Sequence, residues 1–236
     1  MIKNILTIVF CCTVFCCTVL STVIVFGQVV PNQVNLFEKT NLSEWDFHTD
    51  KEGVTVEKVY SFSKDGILTC QGEPFGWLGT KEEYKNFKLS IDYCWPSGVK
   101  PTNSGIFIRL NRQPEQTFLP RCIEVQLASK SAGDLYGFHG MKLPVPEGAV
   151  KGRDSARDGG KQFGFINGLK KIADREKEPG QWNTLDILCS NGLIVIVVNG
   201  SIVNWVTNAE QIPGKIGFQS EGGLIEFRRA VLTVLP

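Results

Sequence analysis

Charge of either sign is not in surplus here. Twenty-five Lys and Arg stand against 24 Asp and Glu, a formal net charge of +1. Phosphate binding needs an excess of cations, so nucleic acid is not the expected partner. Histidine is scarce, with only His48 and His139, and no CxxC pair or Cys/His cluster marks a zinc site. No internal repeat is visible, no Pro/Gly/Ser-rich linker divides the chain, and helical periodicity is nearly missing. A helical bundle and a multi-domain array are thereby set aside.

The N-terminus is the long apolar exception. Lys3 precedes a run over residues 5–26 broken only by Cys, Thr and Ser, and small residues follow at its end. This pattern predicts a secretory signal peptide over residues 1–27, with Val25 and Gly27 at the cleavage site. An uncleaved anchor is the rival reading, because the run is long enough to span a bilayer. Cleavage leaves 209 residues, a comfortable size for one β-rich domain over 28–236, with 24 basic and 24 acidic side chains. The expected location is secreted or periplasmic, or at the cell surface, with no membrane span after cleavage. Four of the eight cysteines remain: Cys70, Cys94, Cys122 and Cys189. They are far apart, and the domain is large enough not to need staples, which favours buried thiols over two disulfides.

Short apolar or alternating runs fill the rest, separated by turn signals such as Lys64-Asp65-Gly66 and Glu221-Gly222-Gly223. Asn-Gly occurs at Asn191-Gly192 and Asn199-Gly200, a strong hairpin cue, and predicts a three-strand meander over 184–206. Many short strands with little helix predict an all-β fold, a two-sheet antiparallel sandwich or jelly roll. Residues 128–180 are long, weakly patterned and rich in Gly and Pro. Within them, 142–177 carry nine Lys/Arg against five Asp/Glu. They read as a long loop, either solvated or forming a wall over a sheet face.

Two runs carry the candidate chemistry. In Asn103-Ser104-Gly105-Ile106-Phe107-Ile108-Arg109-Leu110, period-two alternation places Ile106, Ile108 and Leu110 on one face and Asn103, Gly105, Phe107 and Arg109 on the other. In Cys122-Ile123-Glu124-Val125-Gln126-Leu127, Ile123, Val125 and Leu127 oppose Cys122, Glu124 and Gln126. The second face gathers a cation, a carboxylate and amides, suited to a polar, uncharged ligand such as a sugar. An Arg109–Glu124 cross-strand ion pair is the plainer alternative.

Further phrases occur in order around these runs: Asn35-Leu36-Phe37, Asn41-Leu42-Ser43-Glu44-Trp45, Trp77-Leu78-Gly79-Thr80, Leu135-Tyr136-Gly137, Gly180-Gln181-Trp182-Asn183, Val198-Asn199-Gly200, Gly214-Lys215-Ile216-Gly217-Phe218-Gln219-Ser220 and Ile225-Glu226-Phe227-Arg228-Arg229. Together they resemble the 3-keto-disaccharide hydrolase domain family across about residues 35–235. That resemblance implies a concanavalin A-like jelly roll, with a carbohydrate site on its concave face, acting on glycosides oxidised at C3.

A ketone at C3 acidifies the hydrogen on C2. Removal of that hydrogen, expulsion of the C1 substituent and addition of water amount to hydrolysis, and need a base, an enolate stabiliser and an acid. Glu124 is the expected base, Arg109 the enolate stabiliser and His139 a proton-transfer group. Asn103, Gln126, Tyr136, Lys142 and Gln219 are the expected substrate contacts. No cofactor is demanded, although a divalent metal on Glu124 and His139 is an open alternative. A non-catalytic, lectin-like module is the competing function, since one fold can host both.

Overall fold

The computed structural model describes residues 32–113, 119–147, 149–153 and 164–236, and the backbone alone for 150–153. The expected signal segment, 1–27, lies outside the described residues. Sixteen strands occur in chain order: β1 (Gln33–Asn35), β2 (Asp46–Thr49), β3 (Tyr60–Phe62), β4 (Leu68–Cys70), β5 (Gly76–Gly79), β6 (Phe87–Cys94), β7 (Gly105–Arg112) and β8 (Arg121–Gln126). They continue as β9 (Leu135–Gly137), β10 (Val150–Arg153), β11 (Phe165–Leu169), β12 (Asn183–Ser190), β13 (Leu193–Val198), β14 (Ser201–Val206), β15 (Lys215–Ser220) and β16 (Ile225–Val234). No α-helix is present among the described residues.

Two antiparallel sheets result. One runs β14-β13-β12-β6-β16-β4-β3, with β1 paired to β16; the other runs β10-β11-β9-β8-β7-β15-β5-β2. This is the expected two-sheet jelly roll. Apolar side chains from the facing sides form the core, among them Leu89, Ile91, Ile106, Ile108, Ile123, Val125, Leu185, Ile187, Phe218 and Phe227. Each such side chain is worth roughly 2 kcal/mol when fully buried, so a one-residue slip of any central strand is strongly opposed.

The meander forms as the Asn-Gly pairs predict. Asn191 and Gly192 take φ of 48° and 82°, and Asn199 and Gly200 take 50° and 79°. Positive φ at both central residues matches the right-handed twist of the flanking strands. Asn199 also clamps the turn: its Oδ1 accepts from Thr184 N at 2.9 Å, and its Nδ2 donates to Arg175 O at 2.7 Å. The four described cysteines are free and buried.

Residues 128–180 correct the sequence reading. They are not one long loop, because β9, β10 and β11 lie within them and extend the second sheet outward from β8. These strands are short and carry Gly137, Gly152 and Gly168, which erase the alternation that reveals a strand.

Candidate functional site

The second sheet has an outer face turned away from the main core. Register fixes what stands there. Gly217 pairs with Phe107, Phe107 with Glu124, and Glu124 with Tyr136; one step along, Trp77 pairs with Gln219 and Gly105 with Gln126. Directly opposed residues share a face. The face divides in two. At one end Trp77, Phe107, Leu110, Leu119, Cys122, Phe138 and Ile166 pack into a second apolar cluster. At the other stand Asn103, Glu124, Gln219 and Glu221. The expected open hollow is therefore only partly realised, since much of the face is closed by its own side chains.

Glu124 is the centre of the polar end and is 2% exposed. Its side chain leans over Gly105: a Cβ added there would lie 2.5 Å from Glu124 Oε1 and 3.0 Å from Gln219 Oε1. Gln219 Nε2 donates to Glu221 Oε2 at 2.7 Å. Asn103 bridges to the backbone of Glu221 and Gly222, next to Gln219 in the chain. Two buried oxygens above Gly105, Glu124 Oε1 and Gln219 Oε1, have no hydrogen-bond partner, and the same holds for Asn103 Oδ1 and for Thr102 Oγ1, which lies against Gly223. An unsatisfied buried polar atom costs about 1–3 kcal/mol, so the facing oxygens of Glu124 and Gln219 call for a hydrogen-bond donor. Burial pushes the Glu124 carboxyl well above its ordinary value, and the nearby carboxylates of Glu221 and Asp134 add to the shift.

Tyr136 closes one side. Its hydroxyl accepts from Lys170 Nζ at 2.5 Å, and Lys170 also pairs with the buried Asp134 at 2.8 Å. Asp134 and the Tyr136 hydroxyl raise Lys170 to about 12 against the cost of its burial, so it stays a cation. Glu221, Asp134 and Lys170 were not picked out from the sequence. Glu221 reads as a turn residue beside two glycines, and Asp134 and Lys170 fall in the stretch taken for a loop.

Arg109 does not join this site. A β-bulge interrupts β7 here: the register with β15 shifts between Phe107 and Leu110, and Arg109 takes φ of 55°. Leu110 is thereby moved to the outer face, against the expected alternation, and Arg109 to the inside. Arg109 is fully buried, and its Nη1 donates to Ile212 O at 2.6 Å. Burial lowers its pKa, while Cys189 and Glu210 act the other way. No Arg109–Glu124 ion pair exists among the described residues, so both expected roles for this arginine are withdrawn.

The other expected contacts divide. Asn103, Tyr136 and Gln219 gather round Glu124. Gln126 shares the face, but its Oε1 is engaged with the N–H groups of Leu127 and Ala128. Lys142 lies elsewhere: its backbone binds Glu210, which also pairs with Arg121, and its side chain is exposed. His139 sits beyond the end of β9 with Nε2 3.1 Å from Leu119 O. The Cys122–Phe138 step of the register lies between His139 and Glu124. No group of three His, Cys, Asp or Glu suited to a metal occurs among the described residues, and Glu124 and His139 are not brought together as a ligand pair.

Solved structures with this architecture include two proteins of Parabacteroides distasonis described as candidate glycosyl hydrolases. One is 22% identical, with a TM-score of 0.56 over 86% of this chain and 99% of its own. The other is 16% identical, also with a TM-score of 0.56, over 86% and 94%. The carbohydrate-binding module CBM66 of Bacillus subtilis is similar at 8% identity and a TM-score of 0.53, over 80% of this chain and 95% of its own. These likenesses concern the fold. No curated protein matches the sequence. A family model, however, matches residues 32–233, nearly all that lies beyond the N-terminal segment. The chain belongs to the carbohydrate-active family of the 3-keto-alpha-glucoside-1,2-lyase-like domain.

Proposed function

We propose that this is an exported enzyme that cleaves 3-keto-glycosides by removing the C2 proton, eliminating the C1 substituent and adding water. The observation that carries the reading is the corner of unpartnered buried acceptors around Glu124. A sugar offers hydroxyl donors for such acceptors. Half-buried Asn103, Gln126 and Tyr136 form its more accessible side.

Ionised Glu124 takes the proton from C2. A raised pKa makes this carboxylate a stronger base than an exposed one. The electron pair passes to the C3 oxygen as an enolate, then returns to form the C1–C2 double bond and break the C1–O bond. The leaving oxygen takes the proton now held by the Glu124 carboxyl; water then adds across the double bond, its hydroxyl to C1 and a proton to C2. The Tyr136 hydroxyl, polarised by Lys170, supplies the donor to developing negative charge, the role that the bulge denies to Arg109. Export follows from Lys3 and the apolar run over 5–26.

The test is mass spectrometry on methyl 3-keto-glucoside and on unoxidised methyl glucoside. The expected result is loss of methanol from the first alone. Glu124→Gln lowers turnover by roughly 10²- to 10⁴-fold, the usual weight of a general base. Undiminished activity in Glu124→Gln, or equal cleavage of both glycosides, refutes the mechanism. Saturable binding of the keto sugar without turnover would instead identify a lectin-like module.

A further inference from the structure

We infer that Glu221 is a positioning residue: acting through Gln219, it holds the proton on Glu124. The argument begins with the Gln219 amide, which has one donor end and one acceptor end. Its donor end is committed to Glu221 Oε2 at 2.7 Å. Its acceptor end, Oε1, therefore turns toward Glu124. Above Gly105 the Gln219 and Glu124 oxygens approach the same space, and neither has a partner. Two acceptors facing each other in a buried site are reconciled by one proton. On Glu124 Oε1 that proton makes the carboxyl a donor to Gln219 Oε1.

The reverse arrangement defines what Glu221 prevents. With the amide turned round, its nitrogen would donate to Glu124 and stabilise the carboxylate, while its oxygen would require a proton on Glu221. Glu221 is 7% exposed and stands in the turn Glu221-Gly222-Gly223, beside the Asn103 bridge. Glu221 thus selects the orientation of the amide, and the amide selects the protonated form of Glu124.

Other titratable groups face Glu124. Asp134 is paired with Lys170 at 2.8 Å. Burial raises the Tyr136 hydroxyl and the Cys122 thiol, so both are neutral near pH 7. Glu221 is the facing group that the Gln219 amide ties to this corner, through a 2.7 Å hydrogen bond.

This inference rests on the proposed acid–base role of Glu124 only for its consequence in turnover. Its test is a titration that needs no substrate. The full chain is labelled with ¹³C at the glutamate carboxyl carbons, and the Glu124 resonance is assigned by its loss in Glu124→Gln. The expected result is that Glu221→Gln lowers the Glu124 midpoint by about one pH unit or more, a tenfold change in proton affinity. Glu221→Asp keeps the charge and shortens the reach to Gln219, and is expected to lower the midpoint as well.

An unmoved midpoint in Glu221→Gln overturns the inference. So does a shift in Glu221→Gln with none in Glu221→Asp, because charge alone would then account for it. Should Glu221→Gln fail to fold, Glu221→Asp decides by itself. With methyl 3-keto-glucoside, the acid limb of kcat/KM moves with the titrated midpoint. Shifted midpoints in a chain that turns over no keto sugar would leave this relay standing and remove the proposed function.

Discussion

Gly105 shows how little room the polar corner leaves. No positive φ requires a glycine there; the space is needed by Glu124, whose Oε1 and Cγ would lie 2.5 Å and 2.9 Å from a Cβ. The Glu124 carboxyl would have to leave its place over β7. Gly105→Ala is expected to cost about 1–3 kcal/mol through overpacking and to abolish most turnover. Thermal unfolding and the methyl 3-keto-glucoside assay check the two effects separately. A variant with normal stability and full activity would show that Glu124 can react from another position. At this scale the face that carries Glu124 could be read in advance, because alternation assigns a strand residue to a face. Glu221, Asp134 and Lys170 could not, because turns and strand exits carry no such period.

Elements repeat the contrast. The β12–β14 meander was legible because Asn-Gly fixes both the turn type and the register. Strand β7 was legible only as far as Ile108. Beyond it the bulge exchanges Arg109 and Leu110 between faces, and nothing in Ile108-Arg109-Leu110 announces an extra residue. The bulge supports an expectation opposite to the sequence reading. Arg109→Met keeps the length of the side chain and loses the donor to Ile212 O. It is expected to destabilise the fold by about 1 kcal/mol or more while leaving kcat/KM within about twofold. Urea unfolding and steady-state kinetics distinguish the two. A hundredfold loss of kcat at normal stability would return Arg109 to the catalytic group.

For the whole molecule, carboxyls pull stability in opposite directions as pH changes. Hydrogen bonds from Arg229 and Thr184 hold Asp92 below its ordinary value against the cost of burial, and Lys142 N–H and Arg121 do the same for Glu210. Their stabilisation is present above the unfolded-state value of about 4 and is lost as pH falls through the lower folded value. Glu124 has the reverse sign. Its raised value costs nothing below about pH 4, where it is protonated folded or unfolded, and the cost grows until pH passes its folded value. Glu124→Gln is therefore expected to match the parent protein in Tm below about pH 4 and to exceed it at neutral pH, by about 2–4 °C for each kcal/mol recovered. Calorimetry across pH checks this, and a difference independent of pH would mean that Glu124 is not held protonated. The architecture itself was readable from strand spacing and turn chemistry, which are local. The packing of the outer face was not, because it depends on strands distant in sequence meeting on one sheet.

The second apolar cluster has a consequence for motion. Strands β7, β8 and β15 are bonded to neighbours along both edges and carry packed side chains above and below much of their length. Amide protons in such strands exchange with solvent only through large openings of the fold. Glu124 is thus expected to ride on one of the slowest-exchanging backbones in the molecule, and Lys170, at the exit of β11, on one of the faster. Deuterium uptake would then separate a still anvil beneath Glu124 from a faster-exchanging clasp at Lys170.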